Sequence, residues 1–401
     1  MSNRLIIGGS FIFFLLTSAC ASFDVPDNLE LVAQGLGYQA QYRELDVARS
    51  QSGLLRSERM NAQECLPFGY DAGVGSSIVP SGLQGERLSR NDLLDVRIAE
   101  DETFNGSYVV SRDGMLKLPF LPPIRAQGRS IDQVETDIAN TLLVEEFYPD
   151  SPRISVRTKD FAAVSIGVSG AVFEPHAVEI GGMRGDIVDS IRQVTLGAST
   201  DGRNLSAALR AAGGVRPDAD ISAVEVRRNG QIYRLDIRGL FEGKNSADVM
   251  LLTGDEVRVP SRQCFQDDLM RPSPISPVGI NLFLSNLTHP ALNNAGSAVG
   301  QTVRQAPYGL RYMQALIDAN CVGGSRATSA NRSAVLFSRN PLTGVSVVIE
   351  RKIEDLLRRA DRDDFDPYLL PGDAVACYDS TITNIAEIAR VIGLFNPINF
   401  R

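Results

Sequence analysis

Few side chains in this chain could do chemistry. Five cysteines (20, 65, 264, 321 and 377) and two histidines (176 and 289) are the whole supply of thiol and imidazole in 401 residues. No two cysteines form a C-x-x-C pair, which removes the usual zinc and thioredoxin-like arrangements. Two histidines cannot build a His-rich metal site. They leave a Ser-His-Asp triad arithmetically open, but no G-x-S-x-G elbow occurs; both lie beside proline, in Pro175-His176 and His289-Pro290, and read as turn residues. Asp361, Asp363, Asp364 and Asp366 crowd one stretch, yet the Gly and Glu that a calcium loop requires are missing. That stretch reads as a solvated loop. Asn91-Asp92, Gly254-Asp255 and Gly372-Asp373 each precede an apolar strand. A turn role accounts for them: Gly supplies positive φ, and Asp accepts from nearby backbone amides. No paired-carboxylate cleft for glycoside chemistry is found. No catalytic, metal or cofactor residue is assigned, and the chain reads as a non-enzyme.

Composition narrows the class. Apolar content of 43% and charged content of 22% are globular values. The length suits two to four domains. Net charge is −8, with no dense basic tract, which argues against nucleic acid as a partner. There is no Trp, so a Trp-based carbohydrate platform is excluded.

The N-terminus reads as an export signal. Arg4 precedes an apolar run, Leu5 to Leu16, too short for a free-standing span. Residues 1–19 form the expected signal peptide, and Cys20 is the expected lipidation site. The preceding Thr17-Ser18-Ala19 resembles a lipobox, with Leu16 one step early. Palmitate-type acyl chains would anchor the mature chain stably; ordinary cleavage near Ala19 is the alternative. Ala21-Ser22, rather than Asp, favours outer-membrane sorting by analogy with such lipoproteins. Residues 20–80 are polar and turn-rich, and read as an extended arm.

The most ordered pattern runs from Leu88 to Lys159. A strand over Leu93 to Ile98 follows Asn91-Asp92. Tyr108-Val109-Val110, Arg112-Asp113-Gly114 and Met115 to Pro119 read as a hairpin. Gly128-Arg129-Ser130 caps a helix with Ile131, Val134, Ile138 and Leu142 on one face. Pro152 to Arg157 alternates as a strand. These parts, in this order, resemble the polysaccharide export domain of bacterial outer-membrane export lipoproteins of the Wza type, here over 81–160. Asn91 stands where that family prefers Gly.

Two further units follow. Val164 to Val172 with Phe173-Glu174-Pro175 resembles the opening of the soluble-ligand-binding β-grasp (SLBB) domain. Leu205 to Gly214 reads as its helix with a Gly stop. Ala223 to Arg228 and Gln231 to Ile237 join at Asn229-Gly230, a type I′ turn pair, and Leu252 to Pro260 closes the unit. The pattern returns with Leu310 to Asp318, a hairpin of Ala334–Phe337 with Val345–Glu350, and Leu370 to Cys377. The expectation is α+β: a small export domain, SLBB domains at 164–262 and 275–379 (the second degenerate), and a Pro-spaced linker between them from Arg271 to Pro277. Without Cys20, four cysteines remain in an oxidising compartment, open to three pairings or to free thiols. Cys321–Cys377 would lie inside the second unit, and Cys65–Cys264 would tie the arm to the first.

Residues 380–401 carry an amphipathic helix pattern. Ile382, Ile385, Ile388, Ile392 and Phe395 share one face; Thr383, Asn384, Glu387 and Arg390 lie opposite. Its core of about sixteen residues spans roughly 24 Å. Glu387 and Arg390 make a lone spanning helix costly, whereas a ring can face lipid with the first set and line water with the second. The resemblance implies such a transmembrane α-helical barrel in a homo-oligomer, typically an octamer. It implies export of capsular polysaccharide or exopolysaccharide through the cell outer membrane, with most of the chain periplasmic. The implied partners are the polymer, membrane lipid, and an inner-membrane polysaccharide copolymerase or ABC-type exporter. The alternative is a periplasmic glycan-binding or adaptor lipoprotein without a pore, its last helix packed on the preceding domain.

Overall fold

The computed structural model describes residues 65–99, 101–181, 201–244, 248–286, 303–319, 321–322, 332–358 and 365–378. The expected signal peptide, Cys20, the expected arm before Cys65, His289, Asp361, Asp363 and Asp364 lie outside them. So does the helix expected over 380–401, with its lipid-facing and pore-lining residues. Among the described residues no helix is long and apolar enough to cross a membrane.

The architecture is mixed α/β, with three hydrophobic cores under three sheets. The first sheet contains β1 (Leu93–Ile98) and β2 (Asp101–Val109). A separate pair follows, β3 (Met115–Leu116) and β4 (Ile124–Arg125). Helix α1 (Ile131–Val144) and β5 (Ile154–Asp160) complete the domain. The sheet order is β2-β1-β5, all antiparallel. Ser130 caps α1 by accepting from the Gln133 amide, and the Gln133 side chain accepts from the Ser130 amide. Val134, Ile138 and Leu142 are the buried face, with Ile131 at its rim.

The hairpin read across Asp113-Gly114 is corrected. Its turn forms, with Gly114 at φ +80° and its amide on the Ser111 carbonyl at 2.8 Å. The ladder partners differ, however: β2 pairs with β1, and β3 with β4. β1 buries four of its six residues and takes the central place, so β2 folds directly back along it. The expected strand to Pro119 ends after Leu116, ahead of a proline without N–H and Phe120 at φ +62°.

The second unit runs β6 (Val164–Gly170), β7 (Ala177–Ile180), α2 (Leu205–Ala211), β8 (Val224–Arg228), β9 (Gln231–Leu235), α3 (Gly239–Glu242) and β10 (Glu256–Val259). Its order is β7-β6-β10-β8-β9, with β6 and β10 parallel. Asn229 at φ +51° and Gly230 at +82° make the β8–β9 turn, both positive as a type I′ turn demands. The third unit runs β11 (Ile280–Asn286), β12 (Val303–Ala306), α4 (Tyr312–Asp318), β13 (Ser333–Arg339), β14 (Ser346–Lys352), α5 (Ile353–Arg358) and β15 (Ala374–Tyr378). Its order is β12-β11-β15-β13-β14, with β11 and β15 parallel. Strand for strand the two units have one topology.

Two stretches read as connectors are packed structure instead. From the arm, Ser76 bridges Leu235 in parallel at the sheet edge, and just past it Leu83, expected in the export domain, enters the core of the second unit. The Gly75 amide reaches the Ser222 carbonyl at 2.8 Å, and the Asp236 amide reaches Ser76 at 3.0 Å. Between the two β units, Ile275 is fully buried in the earlier core while Met270 belongs to the later one. Arg210 clamps the Pro274 carbonyl at 2.7 and 3.0 Å. A Cβ on Gly214 would stand 2.4 Å from Pro277, so only glycine admits this approach. Proline spacing shows that the segment is stiff; it does not show that the segment is free.

Disulfides join Cys65 to Cys264 and Cys321 to Cys377. Near the first, the guanidinium groups of Arg262 (3.7 Å) and Arg238 (5.0 Å) both lie over the Phe68 ring. The first bridge spans 199 residues. Replacing both of its cysteines by Ser should cost about 2–5 kcal/mol, read as a lower urea midpoint. An unchanged midpoint would show that the strand pairing at Ser76 alone holds the arm.

Candidate functional site

The three Asn/Gly-Asp pairs, read from sequence as turns, are built alike. Asn91, Gly254 and Gly372 have φ of +68°, +93° and +86°. The following aspartates each accept from the backbone amide three residues earlier: Asp92 from Ser89 at 2.6 Å, Asp255 from Leu252 at 2.8 Å, Asp373 from Leu370 at 2.9 Å. Each turn launches the strand in the middle of its sheet, β1, β10 or β15. These are closing strands in the chain order of the two β units, but central ones in space. The aspartates are therefore buried, at 0%, 3% and 2% exposure, and a turn role alone leaves their charge unexplained.

A buried carboxylate needs a partner, and each has one. Asp255 takes a two-pronged contact from Arg228, Nε at 3.0 Å and Nη2 at 2.6 Å, within its own unit. Asp373 accepts from the Ser338 hydroxyl. Asp92, in the export domain, is met by Arg203 from the next unit: Nη1 donates to Oδ1 at 2.8 Å, with the side chains 1% and 0% exposed. Asp92 also accepts from the Ala162 amide at 3.0 Å. Arg203 stacks over Phe161 at 5.1 Å, and its carbonyl accepts from the Leu251 amide. A side chain on Gly181 would collide with it, the Cβ falling 2.1 Å from Cγ of Arg203.

The turns also touch one another. Thr253, in the turn before β10, donates its amide to the Ser89 hydroxyl, in the turn before β1, at 3.1 Å. The two ion pairs are close enough that Arg203 feels both Arg228 and Asp255. Burial pushes the Asp92 carboxyl above its ordinary value, with Arg203 opposing the rise. Burial likewise lowers Arg203. Burial thus opposes the charged form of both partners, and their mutual attraction offsets part of that cost.

Beside this junction opens a groove of about 710 Å³, lined by the Asp113-Gly114 turn, the β8–β9 turn and the Gly254-Asp255 turn. A second, of about 530 Å³, opens at the Gly372-Asp373 turn against Phe173 and Arg216 of the preceding unit. The remaining sequence candidates fall elsewhere. His176 is in an exposed turn, with Nδ1 at 2.6 Å from the Glu174 carbonyl. Asp366, expected in a solvated loop, is buried, and its Oδ1 accepts from the Met313 amide at 2.7 Å at the start of α4. Its acidic neighbours lie outside the described residues. Sequence reasoning missed Arg203 and Arg228; an arginine carries no spacing signal that names a partner 111 residues away.

Residues 83–159, the domain that carries Asp92, match the family model described as polysaccharide biosynthesis/export protein. Over this domain the chain is similar to the polysaccharide export family. It is 29% identical over 195 residues to the EPS I polysaccharide export outer membrane protein EpsA of Ralstonia solanacearum, covering 47% of this chain and 45% of that protein. The protein of the same name from Ralstonia nicotianae is 26% identical over 197 residues, with the same coverage. The match therefore spans about half the length of these curated relatives.

Replacing Arg203 by Met strands a buried carboxylate and should cost about 3–5 kcal/mol. Adding Asp92→Asn should cost less than the sum of the two single losses. Urea unfolding of the four chains checks this; strict additivity would show that the two residues act independently.

Proposed function

We propose that this chain is an outer-membrane channel for export of capsular polysaccharide or exopolysaccharide to the cell surface. The observation that carries the reading is the polysaccharide export match over 83–159. The names of the two relatives, polysaccharide export outer membrane proteins, support the same location and cargo. In this reading Cys20 is lipidated and most of the chain lies in the periplasm. The two β units, with their common strand order and one parallel pair each, are tandem SLBB-type β-grasp domains. Copies of the chain form a closed ring, since a head-to-tail contact that repeats must close or extend without limit.

The C-terminal stretch supplies the exit. Ile382, Ile385, Ile388, Ile392 and Phe395 face lipid, and Thr383, Asn384, Glu387 and Arg390 face the water-filled lumen. No residue is assigned to bond chemistry, and no nucleotide motif occurs in the sequence. Energy must come from an inner-membrane copolymerase or ABC-type partner, met by the export domain at the periplasmic base.

Ending the chain before Ser380 tests this reading. The truncated protein should remain membrane-anchored through Cys20 while surface polysaccharide disappears. Unchanged surface polymer, with oligomer mass and extraction behaviour also unchanged, would make the helix mere packing and the protein an adaptor without a pore.

A further inference from the structure

The two grooves are copies of one site. The strand registers establish this: Glu256 opposes Arg227 as Ala374 opposes Phe337. Arg228 therefore corresponds to Ser338, the respective partners of Asp255 and Asp373, and Asn229 corresponds to Arg339. Each groove lies between its unit's hairpin and its Gly-Asp turn, closed on the far side by the preceding domain.

Each groove holds a guanidinium with no carboxylate partner among the described residues. In the first groove every carboxylate is held by a cation: Asp255 by Arg228 at 2.6 Å, Glu256 by Arg227 at 3.3 Å, and Asp113 by Lys117 at 2.8 Å. Arg90 and Arg125 have no carboxylate partner among the described residues; Arg90 only donates to the Gln127 side chain, at 3.1 Å. In the second groove Arg216 is fixed on Asp218. Arg339, exposed, donates Nε to the Gly344 carbonyl and has no carboxylate partner among the described residues. Phe337, 42% exposed, offers an apolar face beside it. The chain carries 48 acidic against 40 basic residues. The guanidinium surplus of the first groove runs against that balance, and in the second Arg339 stands opposite one lining carboxylate, Asp373; a guanidinium fork matches a carboxylate in two parallel hydrogen bonds.

We infer that the paired grooves bind the uronate carboxylates of an acidic polysaccharide, through Arg90 and Arg125 in one and Arg339 in the other. The inference rests on the export reading and adds a substrate class to it: the cargo is a polyanion. Two equivalent sites on one chain suit a polymer that presents the same group repeatedly, and each contact is solvated enough to release.

The test uses the full chain purified in detergent, with polygalacturonate as the acidic probe and dextran as the neutral one. Polygalacturonate should bind in low salt and weaken steeply with added NaCl, while dextran should not bind. Arg90→Gln with Arg125→Gln should weaken binding about tenfold, Arg339→Gln less, and all three substitutions together most, with the thermal midpoint unchanged. Equal binding of dextran, or variants that bind polygalacturonate like the parent, would overturn the inference. So would variants that change oligomer mass while polymer binding stays constant, since the grooves would then be protein contacts. Surface polysaccharide in cells lacking the chain separates the two readings. If it persists, the export reading fails; if it is lost but the variants restore it fully, only the groove assignment fails.

Discussion

The arrangement of the domains depends on a charge that cannot stay alone. Asp92 is buried because its turn starts the central strand of the export domain, and its geometry is satisfied by local amides. The remaining negative charge lies where water cannot reach it, and the group that answers it comes from another domain. Losing Arg203 would leave that carboxylate stranded. The constraint therefore acts less as glue than as a condition: the export domain can bury its own turn only when the next unit is seated on it.

The same turn appears three times, and its uses diverge. In the first β unit the aspartate is answered by Arg228 on its own sheet, and in the second by a serine at the equivalent position. In the export domain the partner arrives from outside. A repeated local device thus both finishes a sheet, at Asp255, and joins two domains, at Asp92. The grooves follow from this plan, because a turn that protrudes at the end of a sheet leaves a recess wherever a neighbouring domain packs beside it.

Much of this was legible in the sequence because it is local. The α1 face, the Asn229-Gly230 turn and the Gly-Asp signals each lie within a few residues and obey fixed periods. What was not legible depends on distant partners. β1 could as well have been a hairpin edge; that it is central follows from pairing with β5, some sixty residues on. β7 and β12 have four residues each, too few for alternation to mark them, and β11 went unread although Ile280, Leu282 and Leu284 alternate along it. Asp366 read as solvent-facing because its neighbours are acidic, and its role at the start of α4 appears only when the two segments meet. The helix over 380–401 lies outside the described residues and remains a reading of its residue spacing.

One consequence follows from where the chain crosses between domains. Residues 65–83 already belong to the first β unit, held there by a disulfide, a strand bridge and Leu83 in its core. The export domain then intervenes before the same unit resumes at β6. It is an insertion rather than a bead on a string, and it joins its host by two covalent crossings. A body hung by one linker can swivel freely; this one is held by two crossings and by the contacts of its Asp92 turn. Separating the export domain from the β unit would have to break the buried Asp92–Arg203 pair while both crossings stayed intact.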